Sequence, residues 1–301
     1  MVRSRPGGEG RCKRASSLES VALRRLARWG ALHGPGWFVR YSPPVIGICI
    51  GLFGVIPRRR VLQNLRRVRG KRGRLRDVVD VLTTFSSYAS CLAEALSSGS
   101  ARVPMPDVQS RGEEHIDEAL GAGRGLVIVT AHTAGWEVVG SRLVRRRGVS
   151  LVIVEEAESD PAASAIQDEV RRALGVGIVH AGRDALSSLP LVRHLRSGGI
   201  VALQIDRLGR EMKGVTVTMF GVPTMVPLGP AKLAMLTGAP ILTMFASRLG
   251  FRRYEVEVGA PIRLGRAASE EELGAAMRCA AQAMEAFVRR HPTQWFHFRG
   301  E

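Results

Sequence analysis

The chain has 301 residues and 45% hydrophobic content, enough to bury the core of one large domain or two small ones. Its four cysteines, Cys12, Cys49, Cys91 and Cys279, are scattered without C-x-x-C spacing; they suggest reduced thiols in a cytosol-facing protein, and neither a disulfide framework nor a zinc site. The net charge of +17 is confined to residues 1–76, where 19 Lys and Arg meet only two acids, Glu9 and Glu19, while the remaining 25 basic and 25 acidic residues cancel. A GC-rich coding sequence would enrich Arg everywhere, so the confinement of the excess carries more information than its abundance.

Residues 1–16 form a polar basic tail, expected to be disordered, with no apolar core of a cleavable signal peptide. From Ser17 to Leu32 the spacing of Leu18, Val21, Ala22, Leu26 and Trp29 predicts one apolar helix face, with Arg24, Arg25 and Arg28 on the other side. Such a basic amphipathic helix suits an anionic membrane surface, or equally a surface helix docked on the domain. The longest uncharged stretch, Tyr41 to Pro57, follows between Arg40 and Arg58-Arg59-Arg60. Its apolar part, Val45 to Ile56, is shorter than the roughly 20 residues of a spanning helix, and Gly47, Gly51 and Gly54 weaken it as an ordinary helix. It is expected to be a shallow or re-entrant membrane element whose flanking cations meet lipid headgroups, the alternative being a buried core helix. Residues 17–75 are therefore set apart as a membrane-associating helical segment, and 76–301 as a globular domain.

A long helix is predicted over 77–98 from Val78, Leu82, Phe85, Ala89 and Leu92. Candidate strands at 126–130, 150–154, 176–180, 200–205, 241–246 and 253–258 then alternate with helical patterns near 137–147, 161–174, 184–197 and 228–237, and a last helix covers about 270–290. The expected fold class is α/β, with a mostly parallel central sheet flanked by helices on both faces.

Several signatures of chemistry are missing. Gly121-Ala-Gly123-Arg-Gly125 precedes its strand instead of following it and has its third Gly misplaced, so it is no dinucleotide loop. There is no G-x-x-x-x-G-K-[ST], no G-x-S-x-G and no H-E-x-x-H. What stands out is Thr-Ala-His-Thr-Ala-Gly-Trp-Glu at 130–137, directly after the apolar run Leu126–Val129. Loops at the carboxyl ends of strands are where α/β proteins place their chemistry. His132 and Glu137 are five apart, too far for one face of a straight helix, but a turn at Thr133-Ala134-Gly135 brings them together. Glu137 could then hold one imidazole nitrogen while the other takes a proton from a hydroxyl. Gly135 and the amides opening the next helix, from Trp136 on, could face a developing oxyanion. A satisfied hydrogen-bonded pair without catalysis is the other reading of the same residues.

Residues 125–137 resemble the H-x4-D/E block of the glycerolipid acyltransferase superfamily, and most of all its lipid A biosynthesis (lauroyl/myristoyl-type) branch, which shares Glu in the acidic position and Gly-Trp before it. Further blocks follow in the same order: Arg60 to Leu65 resembles the Asn-Leu element after that branch's membrane segment; Leu195 to Gly199 with Gln204-Ile205-Asp206-Arg207 resembles L-x-x-G…D-[QR]; Phe220-Gly221 through Thr237-Gly238-Ala239-Pro240 resembles the downstream F-G…T-G-A block; and Pro292-Thr293-Gln294-Trp295 is similar to the closing P-x-Q-W element.

The resemblance implies acyl transfer from an acyl thioester, acyl carrier protein or coenzyme A, to a hydroxyl of a membrane lipid or glycolipid, at the cytoplasmic face of a bacterial inner membrane. It implies His132 as general base and Glu137 as its partner, no metal and no redox cofactor. It places Asp206, Arg207, Arg171 and Arg172 near substrate, with an ordinary salt bridge or a solvated helix face as the alternative for the arginines, and Phe220 and Gly221 in the wall of the acyl pocket. Arg207 stands where lipid A enzymes often carry Gln, which is closer to phosphatidylinositol-mannoside acyltransferases; a lysophospholipid is the other alternative acceptor. Nucleic-acid binding by the basic first quarter is the rival from another class. An apolar stretch interrupts that quarter and no recognition motif accompanies it, so an anionic membrane surface is the expected partner and nucleic acid is not.

Overall fold

The computed structural model describes residues 21–98, 100, 103–155, 161–180, 188–209 and 212–298; the tail 1–16, the start of the first amphipathic helix and residues 184–187 of a predicted helix lie outside them. Four helices come first: α1 (Val21–His33), α2 (Gly36–Phe53), α3 (Val55–Arg69) and α4 (Arg74–Ser97). Then follow β1 (Asp107–Arg111), α5 (Glu114–Gly121), β2 (Leu126–Thr130), α6 (Trp136–Arg147), β3 (Leu151–Glu155), α7 (Pro161–Ala173), β4 (Val176–His180), α8 (Leu189–Arg196) and β5 (Ile200–Gln204). A hairpin of β6 (Gly214–Met219) and β7 (Val222–Pro227) leads to α9 (Gly229–Thr237), β8 (Ile241–Gly250), β9 (Arg253–Val258), α10 (Glu270–Arg290) and a 3-10 turn at Pro292–Gln294.

Seven strands form one sheet in the order β1-β9-β8-β2-β5-β3-β4. Every neighbouring pair is parallel except β8–β9, where Gly250 faces Arg253 and the two-residue connection is too short for a crossover. The period of two along each strand divides the core into two layers. Val127, Val129, Val201, Leu203, Ile241 and Phe245 face the layer of α8, α9 and α10. Leu126, Ile128, Ile200, Ala202, Leu242 and Met244 face the layer of α4, α5, α6 and α7. At about 1.5–3 kcal/mol per buried aliphatic side chain, the near-continuous apolar strands make this sheet the stable scaffold on which the loops at its carboxyl end are held.

The uncharged stretch folds as a helix, with the apolar outward face expected of a membrane-associating segment. Within the expected helical segment, α2 is one continuous helix that takes in Pro43 and Pro44 and stops at Gly54, where α3 begins; Arg58-Arg59-Arg60 belong to α3. The glycines that weaken its intrinsic helicity are packing devices. A Cβ on Gly47 would lie 2.4 Å from the Phe85 carbonyl oxygen, and one on Gly51 would meet the Leu82 and Phe85 side chains, so α2 seats directly on α4. Its other side presents Trp37, Tyr41, Val45, Ile46, Leu52 and Phe53 outward, Phe53 81% exposed, and α1 adds Leu26 and Trp29. By length and composition α2 is the one helix among the described residues able to cross a membrane, and the outward apolar surface marks membrane association. We expect Gly47→Val to lift α2 from α4 at the scale of overpacking, about 1–3 kcal/mol. Limited proteolysis in detergent should then cut residues 36–53 faster; unchanged protection would contradict the packing.

β1 and the β6–β7 hairpin are additions to the expected elements. β1 buries only Val108, so its sequence carries no apolar alternation, and it is an edge strand held by main-chain pairing to β9. Phe220 and Gly221, at φ 52 and 80°, are the two-residue hairpin turn, a geometry that matches strand twist. The Phe220 ring packs against Trp295, ring centres 5.5 Å apart, and is covered by Arg289.

Candidate active site

β2 ends at Thr130, and the chain turns at Ala131–Gly135 before α6 begins at Trp136. Gly135 is in the left-handed region at φ 81°, and a Cβ there would lie 2.2 Å from the Tyr254 ring. No other residue satisfies both conditions, so Gly135→Ala should destabilise the fold by about 3 kcal/mol or more, from backbone strain and steric overlap together. A thermal melt within a degree of the parent would refute this. The Gly135 amide faces the sulfur of buried Cys91, whose thiol burial pushes up to about 12. The glycine therefore shapes the turn, and its amide is directed into the core instead of towards an oxyanion.

The turn is held from two sides. Ala134 N–H donates to the Gln294 carbonyl at 3.0 Å and Phe296 N–H to the His132 carbonyl at 2.7 Å, with an antiparallel bridge between Thr133 and Trp295. On the sheet side, Ala246 N–H donates to Thr133 Oγ1 at 3.3 Å. Gln294 in turn exchanges hydrogen bonds with the Arg248 main chain at the end of β8. The closing P-x-Q-W element, more than 150 residues away in sequence, is thus the clamp on the His132 loop.

The carboxylate at His132 Nδ1 is Asp206, at 2.8 Å through Oδ1. Its Oδ2 accepts from the Trp295 indole Nε1–H at 3.0 Å and from His132 N–H at 3.3 Å. Asp206 is completely buried; burial opposes its charge, but His132, Arg207 and His297 outweigh that and hold its carboxyl far below the usual range. An ionised acceptor at Nδ1 puts the imidazole proton there and leaves Nε2 as the basic nitrogen. Among the described residues Nε2 has no hydrogen-bond partner, and the His132 side chain is 24% exposed. Trp136 approaches the imidazole edge-on at 6.3 Å.

The expected role of Glu137 at Nδ1 is corrected accordingly: that position belongs to Asp206, and Glu137 Oε1 accepts from Arg171 at 2.6 Å. Arg171 also donates to Glu155 at 2.6 Å and lies over the Trp136 ring. Burial disfavours its charge, but Glu137 and Glu155 prevail and hold the guanidinium protonated, whereas burial raises the Glu155 carboxyl despite Arg171. The two arginines of α7 therefore part company. Arg171 is a buried link between α7, β3 and α6, while Arg172 is 67% exposed beside Asp168 on a solvated face. Arg207 donates to the Phe296 carbonyl at 2.9 Å, tying the end of β5 to the same tail.

The structure thus brings His132, Gly135, Trp136, Glu137, Arg171, Asp206 and Arg207 to one end of the sheet and leaves Arg172 outside. Asp206, expected near substrate, is the imidazole's partner. Trp295 and His297 have a place there that no spacing rule marks, although the P-x-Q-W pattern signalled their segment. Between the sheet and α6 runs an apolar cavity whose lining includes Thr130, Trp136, Val139, Leu143, Ala202 and Met244. Phe220 and Gly221 are not among its lining; the Phe220 ring packs on Trp295 instead.

Comparison with known proteins bears on the family of the chain. The sequence profile of the family described as bacterial lipid A biosynthesis acyltransferase matches residues 35–300. The phosphatidylinositol mannoside acyltransferase of Mycolicibacterium smegmatis is 30% identical over 228 residues, 69% of this chain and 71% of that protein. The protein of the same name from Mycobacterium tuberculosis is 35% identical over 132 residues, 44% of this chain; the match spans only 41% of that relative's length. A solved 1-acyl-sn-glycerophosphate acyltransferase from Thermotoga maritima overlays 82% of this chain and 96% of its own at 14% identity and a TM-score of 0.37, too distant to bear on the assignment.

Proposed function

Because the chain belongs to the bacterial lipid A biosynthesis acyltransferase family, we propose that it transfers a fatty acyl chain from an acyl thioester to a hydroxyl of a membrane glycolipid. The observation that carries the reading is the His132–Asp206 pair at the end of β2, with Nε2 open and Nδ1 anchored at 2.8 Å. Nε2 takes the proton of the acceptor hydroxyl as its oxygen attacks the thioester carbonyl. The tetrahedral intermediate collapses with cleavage of the C–S bond, and the imidazolium returns the proton to the departing thiolate. The products are an ester and a free thiol. The first turn of α6, from Trp136 on, lies at a positive helix end, which suits the oxyanion in place of the Gly135 amide. The apolar side chains between the sheet and α6, which as they stand enclose a cavity of about 40 Å³, must part to admit the acyl chain.

A mannosylated inositol lipid is the acceptor we favour over lipid A, supported by the names of the relatives and by Arg207 in the D-[QR] position. The donor is an acyl carrier protein or coenzyme A thioester, and the site of action is the cytoplasmic face of the bacterial inner membrane, to which α1 and α2 offer apolar side chains among basic ones. Purified full-length protein, given long-chain acyl-coenzyme A or acyl carrier protein thioester with phosphatidylinositol mannosides, a lipid A precursor and lysophosphatidate in separate vesicles, should esterify the mannosides. Acylation of lysophosphatidate alone, or of none, would reject the reading.

A further inference from the structure

His297 lies two residues past Trp295 on the tail that clamps the His132 loop, and it takes no part in the reaction as derived so far. Its main chain is fixed by Asn64 of α3, whose Nδ2–H donates to the His297 carbonyl at 2.6 Å. Its ring is buried, 4.9 Å centre to centre from the Trp295 ring, and among the described residues the buried Nδ1 has no hydrogen-bond partner. Nδ1 points at the catalytic pair: it is 3.9 Å from Asp206 Oδ2, the oxygen that does not face the His132 imidazole. Buried polar atoms are rarely left unsatisfied without a reason, and a shift of about 1 Å would complete a hydrogen bond to the carboxylate. The charged and titratable groups facing this ring are Asp206, Arg207, His132 and Arg67.

We propose that His297 is a positioning residue for His132, acting through Asp206: a neutral imidazole that presents Nδ1–H to the second carboxylate oxygen and so orients the first towards the base. Asp206 is the one anion among the groups facing it, so the tautomer with the proton on Nδ1 is favoured. Burial, against the pull of Asp206, pushes the His297 pKa down to about 4, which keeps the ring neutral near pH 7. A neutral ring suits the purpose. A second imidazolium would compete with His132 for the charge of Asp206, whereas an N–H dipole in a low-dielectric site steadies the carboxylate without discharging it.

The inference rests on His132 as the base, and the two are separable. Titration of full-length, 15N-histidine-labelled protein in detergent micelles follows the His132 ring without any substrate. In His297→Phe the carboxylate loses its dipole and acts more strongly on His132, so the His132 midpoint should rise by up to about one pH unit. The acid limb of the transfer rate should move up with it, and kcat should fall roughly tenfold, the scale of orienting partners of histidine, at unchanged KM. His297→Asn, whose amide nitrogen falls near the Nδ1 position, should restore both; His297→Gln, whose nitrogen falls near Nε2, should not. Should the Phe variant fail to fold, the Asn and Gln pair decides the matter alone. A folded Phe variant with an unmoved midpoint and kcat, or Asn and Gln variants that behave alike, would overturn the role of His297. Transfer surviving in His132→Ala would instead overturn the reaction on which it rests.

Discussion

His132→Ala is expected to remove acyl transfer, lowering kcat by about 10²–10⁴-fold, the contribution of a positioned general base, without weakening donor binding. The fold should survive. The substitution deletes the 2.8 Å bond to Asp206 Oδ1 but leaves Trp295 Nε1 and the residue-132 amide on Oδ2. A buried carboxylate losing one of its partners costs on the order of 1–3 kcal/mol, a small part of what a sheet with two apolar layers supplies. Ester formation and a thermal melt on the same preparation check both statements. A variant keeping more than about a tenth of the parent rate would show that His132 is not the base.

The second large effect concerns Asp206. Asp206→Asn preserves shape but removes the charge that selects the Nδ1–H tautomer, and by analogy with Ser-His-Asp triads kcat should fall by up to about 10⁴-fold. The downfield Nδ1 proton resonance of His132 should vanish with it. Glu137→Gln provides the contrast. It frees one side of Arg171 and disturbs the wall around Trp136, so activity should drop, but the Nδ1 resonance should persist because Asp206 still accepts it. The reverse pattern, resonance lost in the Glu137 variant and kept in the Asp206 variant, would return Glu137 to the imidazole.

Acid stability carries a related signature. Asp206 has a folded pKa below its unfolded value, so its contribution is complete above about pH 4 and is lost as pH falls further. His297, pushed from 6.5 to about 4, is neutral when folded and protonated when unfolded between those values, so its contribution is complete above pH 6.5 and lost as pH falls towards 4. Urea melts of the Asp206→Asn variant should lose the first dependence while retaining the second.

The expected α/β sheet was legible because its strands are short apolar runs with the period of buried parallel strands, and six of them could be placed from that pattern. β1 escaped because an edge strand held by main-chain pairing needs only one buried side chain, Val108. The seating of α2 on α4 escaped for a different reason. Helix propensity counts Gly47 and Gly51 as breaks, but propensity is a weak prior that tertiary contact overrides, and here the absent Cβ atoms are what allow α2 to touch the Phe85 backbone.

The sequence by itself determined that His132 closes a buried strand, that a glycine turn follows it, and that a basic, partly apolar segment precedes the domain. Those are local properties, set by spacing, chain stiffness and composition within a few neighbouring residues. Which carboxylate holds the imidazole was decided only by the tertiary structure. Glu137 is five residues from His132 and Asp206 is 74, yet α6 turns the nearer acid to Arg171, while parallel pairing of β2 with β5 brings the farther one beside Nδ1. Pairing two parallel strands in register aligns their carboxyl ends whatever lies between them. The partner of the base was therefore set by the sheet, and the tail carrying Trp295 and His297 by what closes over it.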